Sequence, residues 1–393
     1  MLFQTLDDKS ECVGVYLDGE LHFKDMPDGL SRTWGYSNFL YDLNIEYASI
    51  YTLGKSLDDV CPSHLLEKWE KTQNRLKAFL RANSLAKVSL VDNCFFDLTP
   101  IRFLKEYCSV KNEICDWIFD KYQRPENYDH LIAIQQVLSD IKYRSVNFDP
   151  KPLQNHWGEN KAKLLYKNFA STEAFCSYNL FGSKTGRLSL HRGSLPLMNM
   201  KKEYRACIKP NNDFFIELDY NAAEARVVLA LLDKEQPNED IHEYHATNLY
   251  QSTRDEAKKR FFAWLYNPNS DDSISSGQYD REAILGRYRL YDSVENVFKR
   301  KIKCDDFHAF NYLIQSTCAD MVLDRMVQIY KLLLGRKSYV AFTLHDSIIL
   351  DFSSEDKDLI KPVIEEFRQT KLGNFMTTVS AGKDLYNLNK ICI

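Results

Sequence analysis

Asp219 closes an apolar run, FFIELD, and the residues after it, YNAAEARVVLALL, carry a helical pattern. A carboxylate at a strand end has a fixed backbone behind it and open space above it, which suits it to holding a metal ion. Glu224 and Arg226 fall on the first turn of the following helix and offer a second face to the same place. The ordinary alternative is that Asp219 merely caps that helix. A second carboxylate, Asp346, stands in SYVAFTLHDSIILDF, where His345 and Asp346 form the turn between two β-rich runs. Laid beside the strand that ends at Asp219, this hairpin brings the two acids together. Such a pair is a seat for Mg²⁺, which takes one or two carboxylates and completes its shell with substrate phosphates.

The segment RDEAKKRFFAWLY adds a binding surface. On a helix, Arg254, Lys258, Phe262 and Tyr266 recur every fourth residue and form one stripe about 18 Å long. Its first half is cationic and its second half aromatic, so a triphosphate would meet Arg254 and Lys258 while its base reached the rings. His242, just upstream, is a further phosphate donor. The alternative is an amphipathic helix whose Phe and Tyr face the core. In SKTGRLS, Gly186 lets the backbone approach a ligand and Arg187 offers a forked donor for a phosphate or base edge. Asn311 and Gln315 share a face of a long helix that starts near His308, two amides suited to a groove edge or sugar, with a solvated face as the alternative.

These residues need elements to position them. The chain has 393 residues, 44% hydrophobic and 27% charged, enough for two or three domains and too polar for a membrane protein. No apolar run approaches the ~20 residues of a membrane helix, and the N-terminus lacks the pattern of a signal peptide. The ten cysteines include no CxxC pair, so neither a zinc ribbon nor a disulfide framework is indicated, and this points to a reducing cytosol. A net charge of −4 excludes a uniformly basic coat but averages over basic patches at 201–205, 258–260 and 299–303.

Residues 1 to about 100 read as a small α/β unit, with a hairpin at Asp18-Gly19, a helix in LLEKWEKTQNRLKAFLRAN and a strand in KVSLV. Asp18, Glu20 and Asp97 are spaced like the first two motifs of a proofreading nuclease, but the turn already accounts for Asp18, and the third motif, Y-x-x-x-D, is missing where it would fall. Nuclease activity is therefore not expected. IRFLKEYCSVKNEICDWIFDKYQ and YDHLIAIQQVLSDIKYR read as amphipathic helices, residues 267–277 as a loop, and a domain boundary is expected near Gly182.

Taken in order, TGRLS, DYNAAEAR, R-x3-K-x7-Y and LHDS resemble the motifs of family A DNA polymerases, in particular the compact enzymes of bacteriophages. The resemblance runs from about Val137 to the C-terminus. It implies an α+β right-hand fold, with palm at 185–235 and 308–393, fingers at 236–307, a helical thumb at 111–184 and a reduced exonuclease-like (RNase H-like) domain at 1–110. By position, it implies that Asp219 and Asp346 hold two Mg²⁺ ions, that Glu224 excludes a ribose 2′-hydroxyl, and that His242, Arg254 and Lys258 grip the dNTP triphosphate, with Lys258 also protonating the leaving pyrophosphate. Phe262 and Tyr266 would flank the nascent base pair, and Arg187, Asn311, Gln315 and His345 would track primer-template DNA. A helicase, primase or processivity factor would be a partner, in the cytoplasm of an infected bacterium. Asn267 and Ser347 depart from the family pattern, which has a small residue at the first position and an acid at the second. A single-subunit RNA polymerase and a non-catalytic DNA-binding protein on the same fold are the alternatives.

Overall fold

Apolar alternation near the N-terminus folds as an antiparallel meander of β1 (Phe3–Asp8), β2 (Glu11–Leu17) and β3 (Glu20–His22). Asp18 and Gly19 both take positive φ, +47° and +87°, the left-handed pair that a two-residue hairpin requires. The computed structural model describes residues 1–24 and 26–391, and it divides into two units, Met1–Tyr143 and the chain from Arg144 onward. The division falls inside the segment expected as a thumb, and not near Gly182.

The long helices of the first unit are α1 (Leu66–Leu85), α2 (Ile101–Lys121) and α3 (Tyr128–Lys142). Leu104 and Cys108 of α2 pack with Leu6 and Tyr16 of the meander. The strand expected in KVSLV does not form. The end of α1 consumes it: Lys87 turns left-handed at φ +55° and the Val88 amide bonds back to the Asn83 carbonyl at 3.0 Å, a helix-closing motif that leaves Val91 81% exposed.

The second unit carries α4 (Asn160–Phe169), β4 (Phe214–Tyr220), α5 (Ala223–Leu231), α6 (Arg254–Tyr266), α7 (Asp306–Leu333), β5 (Tyr339–Leu344), β6 (Ser347–Phe352), α8 (Ile360–Arg368), β7 (Thr377–Gly382) and β8 (Asn389–Lys390). Its sheet has the order β5-β6-β4-β7-β8, with β4 antiparallel to both neighbours. Period two divides β4: Ile216, Leu218 and Tyr220 are buried, while Glu217 and Asp219 share the other face. Tyr220 stacks on Phe367 of α8 at 4.0 Å and donates its hydroxyl to that residue's carbonyl.

The cap of the helix after β4 is Ala222, which takes φ +50°, so Asp219 is a strand-end residue and not the helix cap. Residues 267–277, expected as loop, contain the start of a short helix, Ser273–Gln278, because the Asp272 carboxylate accepts the Ser275 amide and pairs with Arg260. Arg226 is fully buried and donates to Asn221, Gln236, Pro237 and Glu239, so it organises the loop after α5 as a structural residue.

α7 is about 42 Å long and buried along most of its length. It carries Asp320, fully buried and bound by Arg300 through two bonds of 2.8 and 2.7 Å and by Asn296 at 2.8 Å. Arg300 in turn lies where a side chain on Gly186 would sit, 2.6 Å from its ideal Cβ, and Gly186 has φ +77°, so glycine is required there twice over. Removing one partner of a buried pair leaves an uncompensated charge. Asp320→Ala is therefore expected to lower unfolding stability by about 3–5 kcal/mol in urea titration, with much of the loss recovered when Arg300→Met is added.

Candidate active site

The two aspartates come from adjacent strands. Antiparallel register pairs Asp219 of β4 with Ser347 of β6, and Asp346 is the residue immediately before Ser347 in the two-residue turn. His345, the other turn residue, is exposed and holds φ +56°. From α7, the Cys318 thiol approaches Asp346 Oδ1 at 3.8 Å. Burial first, then the charges of Glu217 and Asp346, push the Asp219 carboxyl up to about 7, against a modest opposing pull from Lys390. Such crowding of carboxylates is a standing demand for a cation.

Glu217 was not singled out by sequence reasoning. It lies two residues before Asp219 on the same face of β4, and the Ser347 hydroxyl reaches its carboxylate at 3.5 Å. The period-two spacing E-x-D was the available signal. Arg205 and Lys202 act on Glu217 from the segment before the strand.

Glu224 opens α5 and is buried between two partners, the Arg187 guanidinium and the Tyr266 phenol, which donates to it. Burial raises its carboxyl, Tyr266 and Arg187 oppose this, and the charge of Asp346 adds to the rise. Arg187 feels both Glu224 and Asp346, so one guanidinium links the acid on the helix to the acid on the hairpin. Burial and the bond to Glu224 raise the Tyr266 phenol.

Along α6 the stripe forms as its spacing requires. The core face is Ala257, Phe261, Trp264 and Leu265, which leaves Lys258, Phe262 and Tyr266 beside a cleft of about 640 Å³. The rings of Phe262 and Tyr266 stack at 5.8 Å and 12°. Arg254 is held by Asp240 through contacts of 2.8 and 3.2 Å, and Asp240 also accepts the Asn221 amide and the His242 and Glu243 backbone amides. His242 does not share the open stripe. It is 2% exposed, packed near His245, Phe261 and Phe262, and pushed down to about 4, chiefly by burial, so it is neutral at pH 7. Asn311 and Gln315 are half-buried on α7, and Asn311 Oδ1 has no hydrogen-bond partner among the described residues.

No protein-family model matches the chain, and none of the curated proteins does. Among solved structures, the chain is similar to the POL domain of Pol1 from M. smegmatis in complex with DNA primer-template and dNTP, at 12% identity and a TM-score of 0.53, over 73% of this chain and 76% of that one. The fold is polymerase-like. Among the described residues no helix is long and apolar enough to cross a membrane.

Carboxylates on adjacent strands can seat a divalent cation. Among the described residues no group of three or more His, Cys, Asp or Glu side chains is arranged to hold one. The hard oxygen donors Asp219 and Asp346 nevertheless fit Mg²⁺, which uses few protein carboxylates and leaves positions for phosphate and water.

The raised Asp219 carboxyl fixes a pH dependence. The folded chain takes up a proton that the unfolded chain has already lost between about pH 4 and 7, so its contribution to stability falls as pH rises through that window and levels off above 7. In chelator, Asp219→Asn is expected to be more stable than the parent at pH 8 by on the order of 1–3 kcal/mol, and to show little gain near pH 4, as read by denaturant titration at the two pH values.

Proposed function

We propose that this chain is a template-directed DNA polymerase of family A, of the compact bacteriophage kind, which adds deoxynucleotides to a primer 3′-hydroxyl during phage DNA replication. The observation that carries the reading is the convergence, within a polymerase-like fold, of Asp219 and Asp346 with the Glu224, Arg187 and Tyr266 cluster at the aromatic end of the α6 stripe. The five-stranded sheet supports a palm at 185–235 and 308–393, and α6 supports fingers at 236–307. The helical segment 111–184 would serve as thumb and residues 1–110 as a domain without nuclease function. In that domain Asp18 is spent in a turn and Glu20 pairs with Lys105.

Two Mg²⁺ ions bound at Asp219 and Asp346 would supply activation of the primer hydroxyl and neutralise the pyrophosphate. The protein's own groups do the rest. Lys258, whose ammonium has no ion pair among the described residues, meets the triphosphate and returns a proton to the leaving group. Arg254 joins it by exchanging Asp240 for phosphate, and His242 supplies a neutral ring beneath the stripe. The incoming base lies on Phe262 and Tyr266. Glu224, fixed from both sides, fills the space that a 2′-hydroxyl would need, which favours deoxynucleotides and speaks against an RNA polymerase. Arg187, Asn311, Gln315 and His345 follow the primer-template minor groove. In the cytoplasm of an infected cell, such an enzyme would work with a helicase, primase or processivity factor.

Extension of a labelled primer on a DNA template in Mg²⁺ tests this reading. The parent is expected to extend with dNTPs and not rNTPs, Asp219→Ala and Asp346→Ala to lose at least about 10³-fold in rate, and Glu224→Ala to admit rNTPs. Failure of the folded parent to extend any primer, with DNA binding intact, would turn the assignment to a non-catalytic DNA-binding protein.

A further inference from the structure

Charge is not spread evenly along this acidic chain. Residues 151–205 hold ten Lys or Arg against three Glu and no Asp, a surplus of seven positive charges in a protein whose net charge is −4. Within that segment, α4 and residues 193–204 flank a groove of about 720 Å³. Its apolar lining comes from Leu164, Leu165 and Phe169 on the helix and from Pro196 and Met200 opposite. Lys161 and Lys167 stand exposed on the helix beside it, and neither has an ion pair among the described residues.

The groove is preformed. Glu159, just before α4, ties the two walls together by pairing with Lys201 and accepting the Tyr204 hydroxyl at 2.7 Å, with His156 beside it at 3.3 Å. At the other end, the Phe169 ring lies 6.1 Å from that of Phe148, and the Leu195 amide is bound to the Phe175 carbonyl at 2.9 Å. A cavity of several hundred Å³ with fixed walls binds without first being ordered. Despite this, Leu164 remains 59% exposed.

We propose that this groove docks a short acidic peptide segment of a partner protein, with apolar side chains seated among Leu164, Phe169 and Met200 and carboxylates set against Lys161 and Lys167. A nucleic-acid backbone would match the lysines but leave the apolar floor unmatched, whereas an amphipathic acidic peptide matches both. The inference does not rest on the polymerase reading, because none of the residues that line the groove is assigned a role in catalysis or substrate binding.

The test is fluorescence anisotropy with the full chain, in the absence of primer, template and nucleotide. The probe is a labelled peptide of about a dozen residues, made of Asp and Glu with Leu and Phe anchors one helical turn apart. A control peptide carries Ser at both anchors, and an oligothymidylate of equal length is the rival ligand. The anchored peptide is expected to bind more tightly than the control by about tenfold or more. Its binding should weaken to a similar degree in Lys161→Glu/Lys167→Glu and in Leu164→Ser, all three at exposed positions where folding is undisturbed, as circular dichroism would verify. Equal binding of the two peptides, or indifference to the substitutions, overturns the proposal. Oligothymidylate binding that is lost in the lysine variant while the peptide fails to bind would make the surface a nucleic-acid path.

Discussion

Crowded negative charge is the constraint around which the second unit is arranged. The pairing of β4 with β6 sets Asp219 opposite Ser347 and beside Asp346, and the period of the strand adds Glu217 to the same face. Burial and the charges of Glu217 and Asp346 raise the proton affinity of Asp219, and neither sheet neighbour can move without losing its ladder. The surroundings bear this strain with cations at a distance: Arg187 from the chain before the sheet, Arg205 and Lys202 near Glu217, and Lys390 on the edge strand. A proton on Asp219 or a bound cation would answer the repulsion directly, and that is what makes the place chemically distinctive.

The same logic extends into α6. Arg254 is committed to Asp240, whose carboxylate also caps the turn beginning at Ile241 and binds Asn221 at the foot of α5. A ligand phosphate competing for Arg254 would therefore act on the joint between α5 and the helices beyond it. Glu224 and Tyr266 form a second joint, between the start of α5 and the end of α6. The side chains proposed to meet the substrate thus also hold these helices together, so a ligand that drew on one would perturb the other.

How far the sequence could be read depended on whether the deciding interaction was local. The meander turn at Asp18-Gly19, the helix at Arg254–Tyr266 and the hairpin around His345-Asp346 all formed where pattern and turn chemistry placed them. KVSLV failed because a helix end captured it, a backbone event that β-propensity does not register. The short helix after Asp272 was missed because an Asx cap and an ion pair overrode a polar composition. His242 was read as a phosphate donor just ahead of α6, and its burial beneath aromatic rings depends on residues that follow it in the chain.

By itself the sequence determined the periodicities: which face of α6 is cationic and aromatic, which strand ends in an acid, and which hairpin turn carries another. Those follow from side-chain spacing along a regular backbone. Only the tertiary structure decided which groups meet. The Ser347 hydroxyl meets Glu217 across the sheet, Glu224 is fixed by Arg187 and Tyr266 from either side, and Gly186 is dictated by the Arg300 and Asp320 pair. Such meetings join residues far apart in the chain, and their energies depend on burial and on the direction of approach, neither of which is written in local spacing.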